Sequence, residues 1–294
     1  MFSVTKGTNT TDWTYDAGFP VDTTLYKSVG GSGGYTFSRL TGSKYLRTDT
    51  TDAETSYTVG FDNMSFVDVS GSTNNGWAIW DWKRAPNYFD VVAYTGNGTA
   101  GRTVSHNLGV APEMMWVKSR SNAATWVVYH KDLNGGTNPE QYYLRLDTTG
   151  AEGIASSNFN DTAPTASNFT LGVASSTNGS GQDQIAYLFA SLDGVSKVGS
   201  YTGNDNGSNS QVIDCGFSSG ARFVLIKVTS TSGDWYVFDT ERGIVAGDDP
   251  YLLLNTTGAE QTVWDGIDPH SSGFEVRSGN LNVSGETYIF YAIA

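Results

Sequence analysis

The chain has 294 residues and a formal net charge of −13, with 17 Lys and Arg against 30 Asp and Glu. That balance supplies no basic face, so binding to a nucleic-acid backbone is excluded as a function class. Thirty-five glycines, 13% aromatics and the lack of any sustained helical period point to an all-β chain. A single cysteine, Cys215, offers no intrachain disulfide, so folding in a reducing compartment is expected. The opening Met1-Phe2-Ser3-Val4-Thr5-Lys6 lacks the basic and apolar regions of a signal peptide, and no apolar run reaches the ~20 residues that span a bilayer.

In chain order, the segment to about Arg39 is polar, glycine-rich and weakly patterned. Trp13, Tyr15 and Phe19 make it extended structure packed on the first structural unit rather than a disordered tail. Its stretch Val29-Gly30-Gly31-Ser32-Gly33-Gly34 reads as the most flexible part of the chain, a linker or an anchored loop. Residues 40 to about 88 read as that first unit, in shortened form. It holds a Tyr45-Leu46 strand, Met64-Ser65-Phe66-Val67, and Trp77-Ala78-Ile79-Trp80-Asp81-Trp82, and Pro86 punctuates its end.

From Phe89 a regular pattern runs through the chain twice. Val91-Val92-Ala93-Tyr94-Thr95-Gly96-Asn97 matches Val198-Gly199-Ser200-Tyr201-Thr202-Gly203-Asn204. Trp126-Val127-Val128-Tyr129-His130 matches Trp235-Tyr236-Val237-Phe238-Asp239, 109 positions on. One phrase occurs three times, after Tyr45-Leu46, Tyr143-Leu144 and Tyr251-Leu252. It reads Asp49-Thr50-Thr51-Asp52-Ala53-Glu54, Asp147-Thr148-Thr149-Gly150-Ala151-Glu152 and Asn255-Thr256-Thr257-Gly258-Ala259-Glu260. An Asx side chain that bonds backbone amides two residues on, followed by a turn residue, stops a strand. Three occurrences imply three copies of one unit. The expected fold is all-β, with tandem antiparallel β-sandwich (jelly-roll-like) repeats: 1–88 an N-terminal extended segment plus a partial repeat, then repeats at 89–194 and 195–294. Runs such as Phe223-Val224-Leu225-Ile226, apolar at consecutive positions, belong to strands covered on both faces, by their own core and by a neighbouring unit or subunit.

Chemistry-bearing residues are sparse. His106, paired by sequence with Asp214, and His130, paired with Asp239, have no partner spacing that suggests catalysis. Asp248-Asp249-Pro250 reads as a turn, and Cys215 as a small buried residue. Trp80 and Trp82 share one strand face with Ala78 and read as core or interface filling. One candidate surface-contact region stands out, Trp264, Asp265, Asp268 and His270, where acids, an imidazole and an aromatic fall close together in an expected loop. Neither catalytic residues, nor a metal site, nor a cofactor motif is expected.

The run Phe89-Asp90-Val91-Val92-Ala93-Tyr94-Thr95-Gly96-Asn97-Gly98, with Arg102 to Met114, Gly220-Ala221-Arg222-Phe223 and Gly233 to Gly243, resembles a structural repeat family of bacteriophage virion proteins, common in marine and cyanobacterial phages. The resemblance covers about residue 35 to Ala294. It implies a non-enzymatic tail-fibre or tail-tip protein, folded in the host cytoplasm and exposed on the particle. Its expected partners are other virion proteins, two further copies in a homotrimer, and host-surface polysaccharide, with no nucleic acid and no membrane insertion. The alternative it leaves open is a capsid decoration or head-fibre protein with a structural role.

Overall fold

The computed structural model describes residues 2–7, 16–57, 59–61, 68–69, 76–205, 209–277 and 279–294. The expected strand Met64-Ser65-Phe66-Val67 and the anchors Trp13 and Tyr15 lie outside the described residues. Among the described residues almost all regular structure is strand, and the two α-helical segments are only four residues each. The chain is an all-β protein of antiparallel sheets arranged as three sandwich units.

Each unit has a large sheet built on the same five-strand order. In the third unit Ser196–Thr202 lies at the edge, followed by Thr287–Ile293, Phe223–Val228, Trp235–Asp239 and Leu252–Leu253. In the second unit the corresponding strands are Phe89–Thr95, Asp183–Phe189, Met114–Ser119, Val127–His130 and Tyr142–Arg145, with Gly153–Ile154 added outside. In the first they are Phe2–Gly7, Trp77–Trp82, Thr23–Ser28, Gly34–Ser38 and Lys44–Arg47, with Thr55–Ser56 outside.

Residues 1–39, expected as an extended segment ahead of a partial repeat, therefore supply three strands of a whole large sheet. The repeat is hidden there because polar residues such as Thr23, Thr24, Lys27 and Ser28 occupy positions that are buried all the same. The glycine-rich stretch at 29–34 is a correction of the same kind. It connects two paired strands and packs on the third unit, where Gly31 adopts a positive φ of 93° against Ala259.

Strand alternation distributes the core. Phe223 and Leu225 point into a central cluster shared by all three units, and Val224 and Ile226 into the third unit's own core beneath its smaller sheet. The second and first units have cores of their own in the same way. A sheet buried on both faces must be apolar at successive positions, and the neighbouring layer here is another unit of the same chain. The shared centre holds Trp80, Trp82, Phe189, Phe223 and Tyr291, with Phe189 and Tyr291 rings 5.1 Å apart across the second and third units. Trp80, Trp82 and Ala78 face this centre, as their spacing implied, while Trp77 and Ile79 face the first unit's own core.

The smaller sheet of the second unit pairs Arg102–Ser105 with Asn168–Leu171. That of the third pairs Gln211–Asp214 with Gly273–Val276, and the latter with Ile267–His270. These registers correct one correspondence: Ser105 stands opposite Asn168 and Asp214 opposite Gly273, so Asp214 matches Ser105 and His106 matches Cys215. His130 and Asp239 do hold equivalent places, opposite Met114 and Phe223.

Candidate functional site

The phrase repeated three times proves to be the contact between units. Its internal turn is closed by the first threonine, not by the Asx residue: Gly150 N–H donates to Thr148 Oγ1 at 3.4 Å, and Gly258 N–H to Thr256 Oγ1 at 3.2 Å. In the first unit Asp49 accepts from the Arg47 guanidinium at 2.6 Å, whereas in the second and third the Asx side chain accepts from the start of the neighbouring, preceding strand of its own unit. Trp126 N–H donates to Asp147 Oδ1 at 3.1 Å and Trp235 N–H to Asn255 Oδ1 at 2.9 Å. This leaves the phrase's carbonyls facing a neighbouring unit.

Each unit sends one buried lysine to meet them. Lys27 Nζ donates to Thr256 O at 2.6 Å, Lys118 Nζ to Thr51 O at 3.1 Å and Asp52 O at 2.8 Å, and Lys227 Nζ to Thr149 O at 3.3 Å. The first unit thus holds the third, the second holds the first, and the third holds the second. Burial pushes all three ammonium groups down to about 8, because the charged form loses water there. Backbone bonds follow the same ring: Glu54 N–H donates to Arg120 O, Glu152 N–H to Thr229 O and Glu260 N–H to Val29 O, each at 2.9 Å.

Tryptophan reinforces two of the three seams. Trp126 Nε1 donates to Arg47 O at 2.7 Å and Trp235 Nε1 to Arg145 O at 2.9 Å. In the first unit the equivalent place is Gly34, opposite Lys27 as Trp235 is opposite Lys227. A Cβ at Gly34 would lie 2.2 Å from Thr48 Oγ1, and that hydroxyl itself donates to Leu254 O at 2.7 Å. Threonine and glycine together do what the indole does elsewhere. One further buried knot joins the first and third units: Trp80 Nε1 and Arg242 Nε both donate to Asp239 Oδ2, at 3.0 and 2.7 Å.

The candidate surface residues lie at the outer end of the third unit. Asp268 and His270 are on the strand Ile267–His270, not in a loop, and Trp264 and Asp265 lie just before it. Pro269 hid that strand from sequence reading, being tolerated at an edge where its missing N–H is not needed. Trp264 is half-buried against Tyr251 and Tyr236, with ring centroids at 5.2 and 5.5 Å, so its face is largely spent on packing. Arg277 draws the acids together, 3.5 Å from Asp265, 3.3 Å from Asp268 and 3.5 Å from Glu275. His270 is not part of this group. Its Nδ1 lies 3.1 Å from Ser272 Oγ and accepts from Ser272 N–H at 3.3 Å, within its own turn.

Beneath the acids, Asp249 is buried and accepts from Val245 and Ile267 N–H at 3.0 and 3.1 Å. Burial pushes its carboxyl up to about 6 against the opposing pull of those two bonds. Among the described residues, no group of three or more His, Cys, Asp or Glu is placed to hold a metal ion. The Cys215 thiol is pushed up to about 12 by burial, which holds it in its unreactive protonated form at neutral pH. What this face offers is an ion-paired, aromatic-backed surface fixed on a strand.

No helix among the described residues is long and apolar enough to cross a membrane. No curated protein matches the sequence. A family described as a domain of unknown function matches residues 4–294, all three units taken together. The chain belongs to that family, DUF7483.

Proposed function

We propose that the chain is a non-enzymatic structural and adhesive component of a bacteriophage particle, carried in a tail fibre or at a tail tip and contacting the host surface through loops and strand ends. The observation that carries this reading is the closed ring of seams. Lysines 27, 118 and 227 each fix a turn of another unit, so the outward-facing segments sit on a single rigid body. The three buried lysines and Asp239, which accepts from Trp80 and Arg242, are taken up in holding that body together. The resemblance of the Phe89–Gly98 and Gly233–Gly243 segments to virion repeats supplies the particle as the setting.

An antibody raised against the purified chain, applied to intact virions of a phage that carries it, tests the location. Labelling of the tail is the expected result; labelling confined to the head, or none, overturns it. Association into trimers is a separate part of the proposal, since the chain already contains three units of its own. Sedimentation at three times the 31.5 kDa chain mass supports it, and sedimentation at the chain mass removes it.

A further inference from the structure

A cleft of about 420 Å3 opens between the second and third units, within the ~300–1,000 Å3 range of small-ligand sites. Lys131 and Asp132 contribute from the second unit. The strands Ser196–Thr202 and Gln211–Asp214 line it from the third, together with Phe290. We propose that this cleft is a binding site for one or two sugar residues of a surface polysaccharide, an inference that rests on the adhesive reading above.

The third unit departs from the repeat along this wall. In the second unit Val92 stands opposite Ala186, whereas in the third Gly199 stands opposite Phe290. A Cβ at Gly199 would lie 2.7 Å from the Phe290 ring, so the glycine leaves the aromatic room to lie against the strand. Arg102 of the second unit reaches over the Tyr94 ring, 5.6 Å from its centroid. Its counterpart is the shorter Gln211, while Tyr201 in the place of Tyr94 stacks on Tyr288 at 4.9 Å. Asp90, which accepts from Asn107 and Val91 N–H at 2.7 and 2.9 Å, is replaced by Lys197. The hydrogen bonds of Asp90 and the reach of Arg102 over Tyr94 in the second unit have no counterpart at Lys197 and Gln211, which leaves polar groups of the third unit lining the hollow.

Its lining chooses the ligand class. Gln211 Oε1 is buried with no hydrogen-bond partner, an acceptor that a ligand hydroxyl would satisfy. Two ammonium groups, Lys131 and Lys197, face two carboxylates, Asp132 and Asp214, and Lys131 Nζ already lies 3.2 Å from Asp132 Oδ1. That set has no net charge, which disfavours a polyanion, and its lysines disfavour a bare cation. A polyhydroxyl ring needs donors and acceptors in alternation plus an apolar patch, and this wall supplies its polar groups beside Val212, which is 44% exposed.

The full chain, labelled with 15N, is titrated with galactose, N-acetylglucosamine, rhamnose and glucuronic acid while amide and side-chain NH2 shifts are followed. The expected result is saturable movement of Gly199, Ser200 and the Gln211 side-chain amide with at least one sugar. Gln211→Arg and Lys197→Asp, which restore the second unit's residues, are expected to weaken that binding by about tenfold or more without lowering the thermal midpoint. Shifts that map elsewhere, binding unaffected by either substitution, or no response to any of the four sugars overturns the cleft. Wild-type shift mapping decides the matter even where a variant folds poorly. Tail labelling is scored independently, so failure of the cleft and failure of the virion reading are distinguishable.

Discussion

Replacing Lys118 by methionine tests whether the three sandwiches are one folding unit. The change keeps the aliphatic stem and removes an ammonium that bonds Thr51 O, Asp52 O and Ser119 O at 3.1, 2.8 and 3.0 Å. Thr51 O keeps a second donor, Ala124 N–H at 2.8 Å, so the damage falls on Asp52 O and Ser119 O. Stranding Ser119 O, a buried acceptor, costs about 1–3 kcal/mol, while Asp52 belongs to an exposed stretch where water can replace the ammonium. Relief of the buried charge, visible in the lowering of this lysine to about 8, offsets part of that. A net loss of about 1–2 kcal/mol remains. Urea unfolding followed by tryptophan fluorescence and far-ultraviolet circular dichroism reads it out. Because the shared centre joins all three large sheets, both probes are expected to shift together in one transition, in wild type and variant alike. A loss below ~0.5 kcal/mol would refute the hydrogen-bond argument. An early transition of one unit, with the remainder unaffected, would refute the shared core as the source of cooperativity.

Three other single sites give outcomes of their own. His130 is fully buried and pushed down to about 4 by loss of water, so its neutral form is the folded one. Stability from this group is complete above pH 6.5 and is lost as pH falls toward 4, by about 3 kcal/mol, and His130→Gln should flatten that part of the pH–stability curve. Gly34→Ala should destabilise by about 2 kcal/mol or more, since the added carbon lies 2.2 Å from Thr48 Oγ1; Gly34→Ala combined with Thr48→Ala should recover part of the loss, and equal, additive losses in urea melts would count against the clash. Cys215, buried with its thiol held protonated, should resist a thiol reagent in the native protein at pH 8 and react at once in urea; prompt native labelling would contradict its placement.

Much of the architecture was legible from residues alone, for a physical reason. Strands covered on two faces cannot alternate polar with apolar, and Phe223-Val224-Leu225-Ile226 carried that signature openly. The first unit was harder to read because its burial is partly polar: Thr24 is buried by donating to Asp81 at 2.6 Å, and Lys27 by donating to Ser32 and Thr256 carbonyls. No hydropathy pattern reports a polar side chain that is satisfied from 229 positions away. The lysine seams could have been found from one clue, a lysine recurring after an apolar run at Met114-Met115-Trp116-Val117-Lys118 and Phe223-Val224-Leu225-Ile226-Lys227. At the candidate surface, Asp265 and Asp268 are brought together by Arg277, which no local spacing announced, whereas His270 stands apart because its ring is engaged with Ser272.

Covalent connection of three similar units has a consequence that an assembly of three identical chains lacks. In a symmetric trimer every seam carries the same residues, so a cleft opened at one is opened at all. Here each seam is free to differ. Two use an indole and one a threonine beside a glycine, and all three nevertheless keep the lysine. The lysine meets main-chain carbonyls, which every sequence provides, so that contact survives divergence of the side chains around it. Gly199 and Gln211 lie on the outer strands of the third unit, away from the lysine seams, and changes there leave the ring's bonds intact. The ring therefore fixes the positions of the units while leaving one outer surface at a time open to specialise, which is the physical basis for looking for specific recognition at the cleft of the third unit rather than at three equivalent places.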